Sequence, residues 1–278
     1  MSCAKPVADF HMADGAQTLK APLHLQLRNL STNASSYEWR VNGHSVSTQE
    51  DLDHMLLESG RHIVELTANE ANKSAKKTKE VILMPPMECH VIFRTTAGDM
   101  VFRLLEDTPG HLANITERIE SGYYDGLLFH RVIDDFMIQG GDNKSRSGGR
   151  RYDEPQAIPA EITPAYPHYR GALAAARMPD DINPDKESSG SQFYIVDGRA
   201  LDDDKMASFQ KDKYFDYTEE QLQTYTDQGG APQLDGEYTV FGYMTHGWEV
   251  LDQIAGSATD KYDRPLTEIK ITEVRFLN

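Results

Sequence analysis

Two adjacent prolines, Pro85 and Pro86, constrain this chain more than any other feature. Each fixes φ and removes an amide donor, so neither a helix nor a central strand can run through the pair. The stretch Met84-Pro85-Pro86-Met87 is therefore a boundary. The 278 residues are enough for two ordinary domains. They divide into a first domain at 1–84, a linker at 85–87 and a second domain at 88–278.

Before the prolines the apolar residues recur with period two. Leu23, Leu25 and Leu27 share one face, as do Tyr37, Trp39 and Val41, and then His62, Val64, Leu66 and Ala68. Polar and glycine-containing turns separate these runs at short spacing, the pattern of a small antiparallel β-sandwich. Trp39 is its expected central packing residue.

After the prolines, "CHVIFRTTAGDMVFRLL" predicts two strands around Ala97-Gly98-Asp99, with Cys89 as a small buried residue at their start. In "GHLANITERIESGYY", Leu112, Ile115 and Ile119 fall at helical spacing and Gly122 suits the C′ position. "GWEVLDQIAGS" predicts a second helix ended by Gly256, between the strand-like runs "TVFGYM" and "EIKITEVRFL". Many strands and two helices point to a closed barrel with helical caps. A polar, acidic stretch at about 199–232 lacks strand alternation and reads as a surface insertion. Its capping box, Thr218 to Gln221, opens a short helix.

Lys and Arg number 28 against 44 Asp and Glu, for a formal net charge of −16. Such a chain repels phosphate backbones, which argues against nucleic acid as a partner. No apolar run reaches the length of a membrane span. The two cysteines, Cys3 and Cys89, cannot make a disulfide framework. Cys3 precedes a tether-like stretch, as the lipid-bearing cysteine of an exported bacterial lipoprotein does once its signal peptide is removed. The expectation is a possible membrane tether through a lipidated Cys3 and a bacterial cell-envelope location, periplasmic or at the outer membrane.

The stretch "FHRVIDDFMIQGGD", Phe129 to Asp142, carries the chemistry. A strand-turn-strand here presents Arg131, Met137 and Gln139 on one surface with Phe136 beside them. The result is a groove with an apolar floor, one fixed cation and one amide. Gly140-Gly141 lacks the following Lys and helix of a phosphate loop. Ser191 has no nucleophile elbow around it, the histidines show no zinc-ligand spacing, and Asp202 to Asp204 lack a calcium-loop glutamate partner. No metal, nucleotide or other cofactor is implied. One reaction needs none of these groups. Rotation about an X-Pro bond breaks no covalent bond, and a guanidinium can stabilise the twisted imide nitrogen while an amide orients the arginine or the substrate carbonyl.

Two resemblances follow. Residues 1–84, through "PLHLQLRNLSTNASSYEWRVNG" and "ESGRHIVELTA", resemble a polycystic-kidney-disease (PKD) repeat, which implies an extracytoplasmic spacer or interaction module. The usual Asp-Phe-Gly-Asp-Gly loop after the tryptophan is replaced by "RVNGH". From about Glu88 onward, "FHRVIDDFMIQGGD", "GALAAAR", "SSGSQFYIV" and "LDGEYTVFG" occur in the order of the cyclophilin family of peptidyl-prolyl cis-trans isomerases. That resemblance implies an eight-stranded antiparallel barrel with two capping helices, acting on proline-containing unfolded or flexible polypeptides; a monomer is the separate expectation. It makes Arg131 the catalytic arginine and Gln139 the supporting amide. Phe136, Met137, Tyr194, Leu234 and Tyr238 become pocket walls, and Ala176, Arg177 and Gln192 substrate contacts. The family's tryptophan is replaced by Gln233 and its pocket histidine by Tyr238. The missing tryptophan implies weak cyclosporin binding with isomerase activity retained.

Overall fold

Period-two alternation becomes strand on both sides of the diproline. The computed structural model describes residues 5–12, 19–85, 88–146, 155–213 and 216–277. Cys3, and Pro86 and Met87 of the linker, lie outside the described residues. The chain forms two compact units, one running to Met87 and the other spanning Glu88–Phe276.

The first unit contains β1 (Phe10–Met12), β2 (Leu23–Asn29), β3 (Ser36–Val41), β4 (His44–Ser47), β5 (Leu52–Leu56), β6 (Gly60–Glu70) and β7 (Lys73–Leu83). Two antiparallel sheets form, ordered β1-β2-β5 and β4-β3-β6-β7, and residues of both share one core. Trp39 is fully buried there, and Phe10 meets its ring edge-on at 5.0 Å. Its indole N–H donates to the main-chain oxygens of Gln49 and Glu50, at 3.2 and 3.3 Å, so the polar end of the ring is satisfied as well. Asn42 and Gly43 both take positive φ in the β3–β4 turn, 50° and 84°. That is the tight two-residue hairpin Asn-Gly favours.

The second unit contains β8 (His90–Thr95), β9 (Gly98–Leu104), α1 (Pro109–Glu120), β10 (Arg131–Ile133), β11 (Met137–Gly140), β12 (Ala172–Arg177) and β13 (Ser188–Val196). It continues with α2 (Asp203–Lys213), α3 (Glu219–Gln228), β14 (Val240–His246), α4 (Trp248–Ala255) and β15 (Ile271–Phe276). The eight strands make one curled antiparallel sheet in the order β10-β11-β13-β12-β14-β9-β8-β15. Its two ends meet where Leu128 bridges Lys270 and the Phe129 N–H donates to the Ile269 oxygen at 3.0 Å. Ile115 and Ile119 of α1, with Val250, Leu251 and Ile254 of α4, join the barrel core. Cys89 is half-buried and lies just before β8 rather than inside it.

The central strands β11, β12 and β13 are apolar on both faces because both are covered. Ile138, Leu173, Ala175, Phe193 and Ile195 point into the barrel core. Their alternates Met137, Ala172, Ala174, Tyr194 and Val196 form a second cluster on the outer face, and the site is built there.

The insertion is more ordered than a surface stretch with one short helix. It forms two helices, α2 and α3, and α3 carries the expected capping box with Thr218 and Gln221 bonded reciprocally. Helix α2 has no amphipathic pattern to announce it. Met206, Tyr217 and Tyr225 are buried in a small core of their own, so tertiary packing holds the segment.

Candidate active site

Strands β10 and β11 form a hairpin in which Arg131 stands opposite Gln139 and Ile133 opposite Met137. Asp135 supplies the positive φ of the turn, 58°, a conformation that aspartate tolerates better than most residues. The register continues across the sheet, with Gln139 opposite Tyr194 and Tyr194 opposite Ala174. Directly opposed residues share a face. Arg131, Gln139, Tyr194 and Ala174 therefore make one rung across four strands of the outer face.

Around that rung opens a pocket of about 230 Å³. Arg131 and Gln139 stand on one side, with Phe136 and Met137 from the hairpin. Tyr194 forms part of the wall, joined by Leu234 and Tyr238 from the segment following the insertion. Ala176 and Arg177 at the end of β12 complete it. Gln192 lies in an adjoining cavity of about 350 Å³ that shares Gln139, Ala176 and Arg177 with the first. It accepts a hydrogen bond from Gln139 Nε2 at 3.2 Å. The ten residues expected from the sequence to be catalytic or substrate-binding thus all line these two adjoining cavities.

Gly141, with φ of 84°, explains the second glycine of "QGGD". A Cβ there would lie 2.1 Å from the Ser191 carbonyl oxygen. Only glycine lets the end of β11 run this close to β13. Ser191 is correspondingly buried.

The segment Cys89-onward is covered almost entirely by similarity to known proteins. A model of cyclophilin-type peptidyl-prolyl cis-trans isomerases matches residues 90–276. A Staphylococcus saprophyticus protein named as a peptidyl-prolyl cis-trans isomerase is 33% identical over 193 residues, 68% of this chain and 92% of its own. A Staphylococcus aureus counterpart, so named, is 32% identical over 188 residues, 67% of this chain and 91% of its own. A cyclophilin-type isomerase of Cryptosporidium parvum superposes with a TM-score of 0.52 at 27% identity, covering 69% of this chain and 98% of that one. The chain belongs to the cyclophilin-type peptidyl-prolyl cis-trans isomerase family.

Against other expectations for a cyclophilin, Gln233 is exposed and stands outside the pocket lining, whereas Tyr238 is in it. Tyr238 stands edge-on to Tyr194 at 5.7 Å, and the Arg177 guanidinium lies 4.7 Å from the centre of its ring. Arg177 itself is held by the Glu237 main-chain oxygen at 2.8 Å, the Glu237 carboxylate at 3.2 Å and Asp180. The Gln139 amide, expected to orient either the arginine or the substrate carbonyl, is bonded to a second amide here. Arg131 Nε donates to Asp263 at 3.2 Å, and the Gln139 amide turns to Gln192.

Sequence reasoning missed Asp263, His168 and Asp235. Asp263 sits 132 positions from Arg131, in a turn where its φ is 61° and its main-chain oxygen accepts from Val132. His168 and Asp235 are buried and bonded to each other. Burial also pushes the Tyr194 hydroxyl well above its ordinary range, so it remains a neutral donor. The one available signal was Asp235 itself, inside the quoted "LDG" motif.

Proposed function

We propose that this cyclophilin isomerises X-Pro bonds of flexible polypeptides through Arg131, with Gln139 and the surrounding pocket as its support. The observation that carries the reading is the rung Arg131–Gln139–Tyr194 at a pocket of about 230 Å³, which sets the Arg131 cation beside Phe136, Met137 and Leu234. The barrier to rotation is about 18–20 kcal/mol, mostly lost amide resonance. In the twisted state the proline nitrogen regains a lone pair, which the fixed guanidinium can bond. Arginine suits this because it stays charged and its donors form a rigid fork.

Unaided rotation takes roughly 10–100 s. An acceleration of five decades needs about 7 kcal/mol. One preorganised donor supplies about 3 kcal/mol. The remainder falls to the pocket, which holds the ring through Phe136, Met137, Leu234, Tyr194 and Tyr238 while the acyl side turns. Ala176, Arg177 and Gln192 receive the chain leading into the proline. A guanidinium shared with Asp263 is half exposed, so an incoming substrate can compete for it.

The test is protease-coupled isomerisation of an X-Pro peptide by wild type beside Arg131→Ala. Loss of most of the acceleration in the variant supports the reading, and full activity in the variant overturns it.

The clients we propose are exported proteins, on the strength of the N-terminal β-sandwich and of Cys3 as a candidate for lipidation. Mass spectrometry of the N-terminal peptide of the natively produced protein decides this. An acylated Cys3 supports it, and a free thiol sinks it.

A further inference from the structure

The insertion is joined to the wall of the proline pocket by buried polar groups. Asp235 follows the pocket residue Leu234 and has a side chain only 1% exposed. The hydroxyls of Tyr217 and Tyr225 both donate to its Oδ2, each at 2.6 Å. Its Oδ1 accepts the His168 main-chain N–H at 2.7 Å and lies 2.8 Å from His168 Nδ1. A carboxylate only accepts, so Nδ1 carries a hydrogen, which leaves Nε2 as the ring's second polar contact. That Nε2 lies 3.0 Å from the Tyr194 hydroxyl. The main-chain oxygen of His168 is held in turn by the Ala231 N–H at 2.8 Å, where the insertion returns to the barrel.

Tyr217 and Tyr225 belong to the insertion, and Tyr194 lines the pocket. A buried carboxylate left short of donors is expensive, and so is a buried hydroxyl without a partner. For packing alone, the wall at Tyr194 needs only a ring. Its hydroxyl makes the wall dependent on His168, hence on Asp235 and on the two insertion tyrosines.

We propose that Tyr217 and Tyr225 are positioning residues for the proline pocket, acting through Asp235 and His168 on Tyr194. The insertion sets the orientation of the Tyr194 ring, and with it the fit of the prolyl ring. The inference rests on the reading of this groove as the substrate site.

The experiment is a set of cycles on the full chain. Tyr217→Phe and Tyr225→Phe are each made alone and in a Tyr194→Phe background, and KM and kcat for an X-Pro peptide are measured beside Arg131→Ala. Each single variant raises KM by roughly threefold or more with kcat little changed, because only the ring's fit is altered. In the Tyr194→Phe background neither adds anything, since the last link is already cut. The same rise in both backgrounds, or a fall in kcat that merely tracks the folded fraction, overturns the proposal.

A measurement on the wild type does not depend on how the variants fold. The imidazole nitrogen resonances of His168 move when the X-Pro peptide saturates the site. Unmoved resonances overturn the inference. Full activity in Arg131→Ala brings down the reading of the groove itself. An inactive Arg131→Ala alongside unaltered tyrosine variants brings down only the role of the insertion.

Discussion

Arg131 and Tyr194 lie on one rung of the barrel, two strands apart, with Gln139 between them. At about 4.8 Å per strand, their Cα atoms are separated by roughly 10 Å. That span sets a cation and an aromatic ring at two edges of one pocket, with the Gln139 amide between them. The side-chain ends are then held by groups distant in sequence, Arg131 by Asp263 and Tyr194 by His168.

Arg131→Lys keeps the charge and loses the fork of donors. Its kcat/KM should fall by about 10²-fold, as for the loss of a preorganised donor. Peptide isomerisation kinetics decide it, and near-wild-type activity would show that charge alone suffices.

Asp263→Asn breaks an ion pair whose partners are 45% and 43% exposed. The stability change should stay below about 1 kcal/mol, as for surface pairs generally. Chemical denaturation measures this, and a larger loss would mean the turn at Asp263 depends on its charge.

Gly141→Ala forces a Cβ to within 2.1 Å of the Ser191 carbonyl at a φ of 84°. Both the clash and the backbone conformation oppose it. The cyclophilin unit should lose at least about 2 kcal/mol, read as a lower unfolding midpoint. An unchanged midpoint would show that β11 and β13 can separate freely.

Acid should weaken the fold. Burial lowers the pKa of His130 and of His111 below the ordinary 6.5, although a hydrogen bond to Glu161 partly opposes this at His111. Below pH 6.5 the unfolded chain therefore binds protons that the folded chain refuses, so stability falls with pH. The loss begins near 6.5 and is complete below the lowered folded values. Denaturation at pH 7.5 and 5.5 measures it, and equal stability at both would contradict the burial argument.

Cyclosporin should bind this cyclophilin weakly. Gln233 replaces the family's tryptophan and is exposed, outside the pocket lining. A competition assay with the X-Pro peptide tests this, and inhibition at nanomolar concentration would contradict it.

Local periodicity alone placed Arg131, Met137 and Gln139 on one surface, because side chains alternate strictly along a strand. It also identified the two capping helices, the capping box at Thr218 and the central burial of Trp39, since each signal lies within a few residues. Motif order added Tyr194, Leu234 and Tyr238, which no local pattern connects to Arg131. The partners that hold these groups were decided only by the tertiary structure. Asp263 meets Arg131 through the closure of the barrel, and Tyr217 and Tyr225 meet Asp235 because the insertion folds back on its own exit. Helix α2 was hidden for the same reason. A polar segment gains its order from the few residues it buries, and those are known only once the chain has closed around them.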